Sequence, residues 1–250
     1  MDAATQRDAR LLRASLAAVW ALTALGVLHP YYREVGESYL APLGLPAWVM
    51  WATDAGELLL AAWVLRGPSS TLLTALQVSA VSVFTLLLAI QEPMLLVSPF
   101  GMLSKNLQFA CVALAVWRLE RRGWDRDLER FLAAGMALVW VTEGLLPKIL
   151  FQQEIELSMA PEAGLTFAPP WVLVGVLGVA QLASGIAVLV LPKGPRAWLL
   201  LGQLLALLVL PIVVGFIRPT LWVHPFGPLI KNFPILAGTY LVYRRCSQSS

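Results

Sequence analysis

The sequence predicts an all-helical, polytopic membrane bundle of about eight transmembrane helices, built as two parallel four-helix repeats. Three observations lead there: an apolar composition, a regular alternation of apolar runs with polar loops, and a pattern that recurs along the chain. Of 250 residues, 58% are hydrophobic and 13% charged, with a mean hydropathy of +0.73. Soluble domains average about 45–50% apolar and 25% charged residues. A water-soluble fold of this length would lack the polar residues to cover its surface. The net charge of +3 is spread over several loops rather than gathered on one face, which excludes a nucleic-acid partner and leaves the lipid bilayer as the expected one.

A span needs roughly 17–25 mostly apolar residues to cross about 30 Å of hydrocarbon. The first half offers Leu12–Leu28, Ala47–Leu65, Thr71–Ile90 and Leu103–Trp117; the second offers Phe131–Leu146, Trp171–Leu191, Ala197–Phe216 and Pro228–Tyr243. Arg7, Arg10 and Arg13 precede the first run, but no small-x-small cleavage site follows it, so it reads as a retained helix. With the N-terminus in the cytoplasm, thirteen Lys and Arg fall on the inner side and five on the outer. That bias satisfies the positive-inside rule and puts both termini in the cytoplasm. Trp48, Trp171 and Trp222 then mark outer boundaries, and Trp63, Trp117 and Trp198 inner ones, where indole rings settle.

The repeat is visible in the letters. Residues 93–106 read PMLLVSPFGMLSKN and residues 219–232 read PTLWVHPFGPLIKN. Pro99-Phe100-Gly101 matches Pro225-Phe226-Gly227, and Lys105-Asn106 matches Lys231-Asn232, at an offset of 126. Val64-Leu65 and Gln77 match Val190-Leu191 and Gln203 at the same offset, and Trp20 matches Trp140 at about 120. A fixed offset over most of each half indicates duplication. An even number of spans per copy makes the copies parallel. The domains are therefore 1–122 and 123–250, joined by a polar stretch, Arg118–Arg130, expected to form a short cytoplasmic helix.

Gly-Leu-Leu-Pro-Lys at 144–148, the run from Gly178 through Gln181 to Gly185, and four short spans per copy together resemble the DoxX-like proteins. The chain is similar to a tandem, two-copy form of that family over nearly its whole length. The resemblance implies a bacterial cytoplasmic (inner) membrane protein. In some relatives it implies a membrane subunit of a thiosulfate:quinone oxidoreductase, with a quinone as the cofactor or carrier and a soluble or membrane oxidoreductase as partner.

Ionisable groups inside a span cost roughly 2.5–3.5 kcal/mol at its centre on insertion scales. Asp54, Glu57 and Glu143 fall there. Asp54 and Glu57, spaced i,i+3, share one helix face, with Glu57 about 15 Å from the outer edge; Gln181 lies at similar depth. Two roles suit them: polar contacts between helices, or a proton or ligand site facing the interior. Lys105 and Lys231 open the fourth helix of each copy from outside, where a cation opposes the helix dipole, so an acid or a bound anion is expected beside each. Pairing within each copy predicts Lys105 against Asp54 or Glu57 and Lys231 against Glu143. The alternative is snorkelling into headgroups. His29 and His224 lie on the outer side without further His or Cys to build a metal site. His224 stands where the first copy has Ser98, and it joins the ligand-site candidates. Cys111 and Cys246 form no metal or disulfide spacing. The outer loops Pro30–Pro46 and Pro147–Pro170 mix apolar and charged residues, as interfacial helices do. Two roles remain open for them: capping an outward-facing pocket, or only connecting helix ends. No nucleotide or hydrolase motif occurs. Three functions stay open: a membrane subunit of a quinone-linked redox system, a permease or small-molecule or lipid-binding protein, and a structural or assembly partner.

Overall fold

The computed structural model describes residues 2–68, 70–99 and 101–248, which form ten α-helices and no strand. In the first half these are α1 (Ala3–Leu25), α2 (Pro30–Leu40), α3 (Trp48–Arg66), α4 (Thr71–Gln91) and α5 (Met102–Arg122). The second half holds α6 (Arg126–Leu145), α7 (Glu154–Glu162), α8 (Pro170–Val190), α9 (Lys193–Ile217) and α10 (Asn232–Ser247). Polar caps define the starts of α1, α4 and α6. The side chains of Asp2, Ser70 and Asp125 accept the amide N–H of Thr5, Leu73 and Leu128 at 2.6, 3.0 and 2.7 Å. Where a linker helix was expected over Arg118–Arg130, α5 instead runs on to Arg122 and α6 begins at Arg126. Gly123, at φ 72°, makes the sharp reversal between them.

Among the described residues, six helical segments are long and apolar enough to cross a bilayer: Ala3–Leu28, α3, α4, Arg126–Leu150, α8 and α9. The last helix of each half falls outside that set. In α5 the apolar run is diluted by Lys105, Asn106 and Gln108, and α10 has only 16 residues. The outward faces are as apolar as lipid contact requires, with Leu59, Ile90 and Phe216 each at least three-quarters exposed.

Helices α1, α5, α6 and α10 form the centre, with α5 and α10 touching each other and both α1 and α6. Outside them α3 lies on α1 and α4 on α5, while α8 lies on α6 and α9 on α10. Each contact of the first half thus has a counterpart in the second. One apolar cluster, including Leu12, Leu16, Phe109, Leu132, Met136 and Leu241, fills the centre. Glycines set the closest approach. A Cβ on Gly144 would come within 2.5 Å of the Gly178 carbonyl, and one on Gly185 within 2.8 Å of the Ala137 carbonyl. Small residues let α6 and α8 backbones touch, which membrane helices exploit because lipid supplies no hydrophobic drive between them.

Ion pairs close the same end of both inter-half seams. Asp8 of α1, 1% exposed at its side chain, accepts from Arg244 at 2.5 Å and Arg245 at 3.2 Å on α10. Its counterpart is Arg118 on α5, which meets Asp125 at the start of α6 at 2.8 Å. Asp8→Asn removes the negative charge between two partly buried guanidiniums and replaces one acceptor oxygen with a donor. Breaking a buried pair from one side costs about 3–5 kcal/mol, so the melting temperature of the purified protein should fall clearly. Arg130→Gln, which removes an exposed 3.9 Å pair with Asp127, should leave it unchanged.

Candidate functional site: two cavities and two exchanged lysines

The site grows from a turn used twice. Gly101 and Gly227 adopt left-handed φ of 69° and 58°, and their carbonyls accept the N–H of Lys105 at 2.9 Å and Lys231 at 3.0 Å. The lysine four residues on therefore folds back over the glycine. A Cβ on Gly101 would fall 2.6 Å from Glu143 Oε1 and 2.7 Å from the Lys105 methylenes. On Gly227 its neighbours would be Thr23 Oγ1 at 3.5 Å and the Lys231 stem at 3.6 Å. Glycine is required at 101 by space as well as by φ. Phe100 of the repeated motif lies outside the described residues.

The two turns point across the molecule. Because α5 packs on α6 and α10 on α1, each lysine faces the first helix of the other half. Lys105 lies within Coulombic reach of Glu143, and Lys231 within reach of Glu57. This corrects the expected pairing inside each copy: the lysines are exchanged between halves. Lys105 Nζ also donates to the Pro228 carbonyl at 2.7 Å, which holds the very turn that presents Lys231.

Lys231 completes a first cavity of about 260 Å³ bounded by α1 to α5. Asp54 and Glu57, 3% and 8% exposed, enter it from α3. Tyr32 of α2 donates its hydroxyl to Asp54 Oδ1 at 2.8 Å. Burial, and then the nearby acids, push the Tyr32 phenol well above its ordinary pKa, so it stays a donor. Helix α2 thus caps this cavity with Tyr32 and Tyr39, and Tyr39 is tied to Glu92 at 2.6 Å. Asp54 Oδ2, Glu57 Oε2, Thr23 Oγ1 and Asn106 Oδ1 are buried without a hydrogen-bond partner. The remaining wall is mainly apolar.

A second cavity of about 200 Å³ lies in the other half, lined by Lys105, Glu143 and Gln181 among others. Ser104 Oγ donates to Glu143 Oε1. Lys148 bridges to Glu156 at 2.6 Å and to the Glu143 carbonyl at 3.2 Å, so α7 caps this cavity as α2 caps the first. Burial raises the Glu156 pKa against the opposing pull of Lys148. Of the sequence-derived candidates, Asp54, Glu57 and Lys231 thus gather in one cavity and Lys105, Glu143 and Gln181 in the other.

His224 joins neither. It is buried in the turn before α10, with its ring 4.7 Å from Phe226 and 5.8 Å from Tyr31, and Nδ1 accepts the Phe226 N–H at 3.2 Å. Tyr32 and Glu156 were not singled out from the sequence. Both sit in outer loops, where only the mixture of apolar and charged residues hints at a cap. Burial, and secondarily Lys231, depress the His224 pKa from 6.5 to about 4. Below pH 6.5 the unfolded chain takes up a proton that the folded turn refuses, so stability falls as pH drops and levels off near 4. His224→Ser, the residue of the first half, should therefore lose less melting temperature than wild type between pH 7 and pH 4.

A family model, the DoxX-like family, matches residues 17–114 and, separately, residues 137–240. No curated protein and no solved structure matches the chain. The two matches run from α1 to α5 and from α6 to α10, together covering most of the sequence and dividing it where the packing divides. The chain, an integral multi-pass membrane protein, belongs to the DoxX-like family in a tandem two-copy form.

Proposed function

We propose that this protein crosses the bacterial cytoplasmic membrane eight times as two parallel four-helix repeats, residues 1–122 and 123–250, with both termini inside. We further propose that it serves as the membrane subunit of a quinone-linked redox system, holding a quinone-type headgroup in the first cavity. For the spans, the support is in the seams. Only three residues join α5 to α6, and the two pack together, so they run antiparallel along comparable lengths. The polar residues that lower α5 hydropathy point inward, Lys105, Asn106 and Gln108 all being buried, while Leu103, Leu107 and Leu114 face outward. At 1.5 Å per residue, α5 reaches about 31 Å.

The observation that carries the functional reading is the meeting of Asp54, Glu57, Tyr32 and Lys231 in an otherwise mainly apolar cavity. A quinone offers two carbonyl acceptors on an apolar ring, and its reduction takes up two protons and two electrons. The lysine and the carboxyls supply hydrogen bonds and protons; electrons would come from an oxidoreductase partner. A second reading, a permease or binding protein for another small amphiphile, is favoured by the presence of acids and a lysine around both cavities rather than one.

Reporter fusions test the topology: inserts near Asp125 should report cytoplasm, and inserts near Glu37 and Gln153 should report outside. A short-chain quinone titrated into the purified protein tests the site. Asp54→Asn and Lys231→Met should each weaken binding about tenfold or more, near 1.4 kcal/mol. Arg218→Met, which breaks only the bridge to Glu162 and Ser158 on α7, should not. Unchanged affinity in both cavity variants would refute the quinone site, and retention of an unrelated amphiphile would favour the second reading.

A further inference from the structure

The two halves solve the same local problem differently, and the difference exposes a group. In the first half, Trp20 Nε1 donates to Gln77 Oε1 at 3.3 Å. Trp140 and Gln203 occupy the corresponding places in the second half, and there the bond is not made. Gln203 turns its amide to Ser184, donating from Nε2 to Oγ at 2.7 Å. Trp140 Nε1 and Gln203 Oε1 are both left buried without a partner. Position 184 corresponds to Leu58 at the offset of 126, so the first half has no hydroxyl there to draw its glutamine away.

Trp140 is 8% exposed and lines the second cavity, as do Gln181 and Glu156, which each carry one buried oxygen without a partner. This cavity thus presents one orphan donor and two orphan acceptors in a largely apolar wall. The first cavity has orphan oxygens only. A hydroxyl both donates and accepts, so it satisfies the second set, whereas a carbonyl or an ether answers only the indole. A buried polar group left without a hydrogen bond is costly, and three such groups on residues that line one void point to an occupant.

We propose that the second cavity is a separate binding site for an apolar molecule bearing a hydroxyl, such as a phenol or a ring alcohol. The indole N–H of Trp140, released by the Ser184–Gln203 bond, donates to that hydroxyl, and the Gln181 carbonyl or Glu156 carboxyl accepts from it. The site is shared between halves, because Lys105 of the first half forms part of its wall. It does not depend on what the first cavity holds.

The test uses the full chain in lipid nanodiscs, labelled with 5-fluorotryptophan and read by fluorine NMR, with the Trp140 resonance assigned by its loss in Trp140→Phe. The probes are 1-naphthol and its methyl ether, 1-methoxynaphthalene, which keeps the ring but cannot donate. 1-Naphthol should shift the Trp140 resonance saturably, and the ether should need about a tenfold higher concentration. Ser184→Ala does not touch the cavity but frees Gln203 to accept from Trp140; it should weaken 1-naphthol binding several-fold. A Trp140 resonance that ignores 1-naphthol, responds equally to the ether, or responds equally in Ser184→Ala overturns the proposal. Loss of quinone binding in the Asp54 or Lys231 variants reads on the first cavity alone.

Discussion

An ammonium carried into a bilayer-embedded bundle must find a counter-charge or a cluster of carbonyls, because the desolvation it suffers amounts to several kcal/mol. That demand organises this protein. Each half places its lysine at the start of its last helix, over a left-handed glycine, and the acid within Coulombic reach of it belongs to the other half. Pulling the halves apart would strand two ammonium groups and their acids in hydrocarbon at once. Lys105 adds a bond to the Pro228 carbonyl, so even the turn carrying Lys231 is held from across the seam. The tandem chain behaves as one unit for this electrostatic reason, beyond the covalent link.

Packing follows from the same economy of polar groups. The central helices turn their amides, hydroxyls and charges toward one another and leave leucines outside. Among the peripheral helices α3 alone carries the first cavity's acids, Asp54 and Glu57, while α8 and α9 are among the most apolar segments. Where apolar chains alone would give no preference for protein over lipid, Gly144, Gly178 and Gly185 bring backbones close enough for dispersion to decide. The ion pairs Asp8–Arg244 and Arg118–Asp125 sit at the ends of α1, α5, α6 and α10, where both seams need closing.

Much of this was legible in the letters, for identifiable reasons. Hydropathy reveals spans because hydrocarbon tolerates few charges, and the repeated turn reveals the duplication because its proline, glycine and lysine cannot drift freely. Asp54, Glu57, Lys105, Lys231, Glu143 and Gln181 stood out as polar residues in apolar frames, and all six line cavities. Which acid meets which lysine was not legible. A repeat at fixed offset says nothing about whether contacts form within copies or between them; the packing of α5 on α6 and α10 on α1 decides that. Nor was the linker: arginines and aspartates at 118–130 are equally compatible with a separate surface helix and with two long helices meeting at a glycine. Tyr32 and Glu156 were invisible as site residues because ordinary loop composition conceals a cap that only folds into place over a cavity.

The two halves share one scaffold but differ in where they carry their acids. At the offset of 126, Asp54 and Glu57 correspond to Ala180 and Ala183, while Glu143 corresponds, at the offset of Trp20 and Trp140, to Thr23. The acids therefore stand on different helices in the two copies, yet each lysine has one within Coulombic reach because it faces the opposite half, where both helices border the same void. Formal charges of the lining side chains now differ as well: two acids and one lysine around the first cavity, two acids and two lysines around the second. A site with surplus carboxylate favours protons and donors; a balanced one with a free indole N–H does not discriminate in that way. Symmetry of the scaffold and asymmetry of the cavities thus arise together, since a shared frame fixes where a polar group is useful without fixing which residue supplies it.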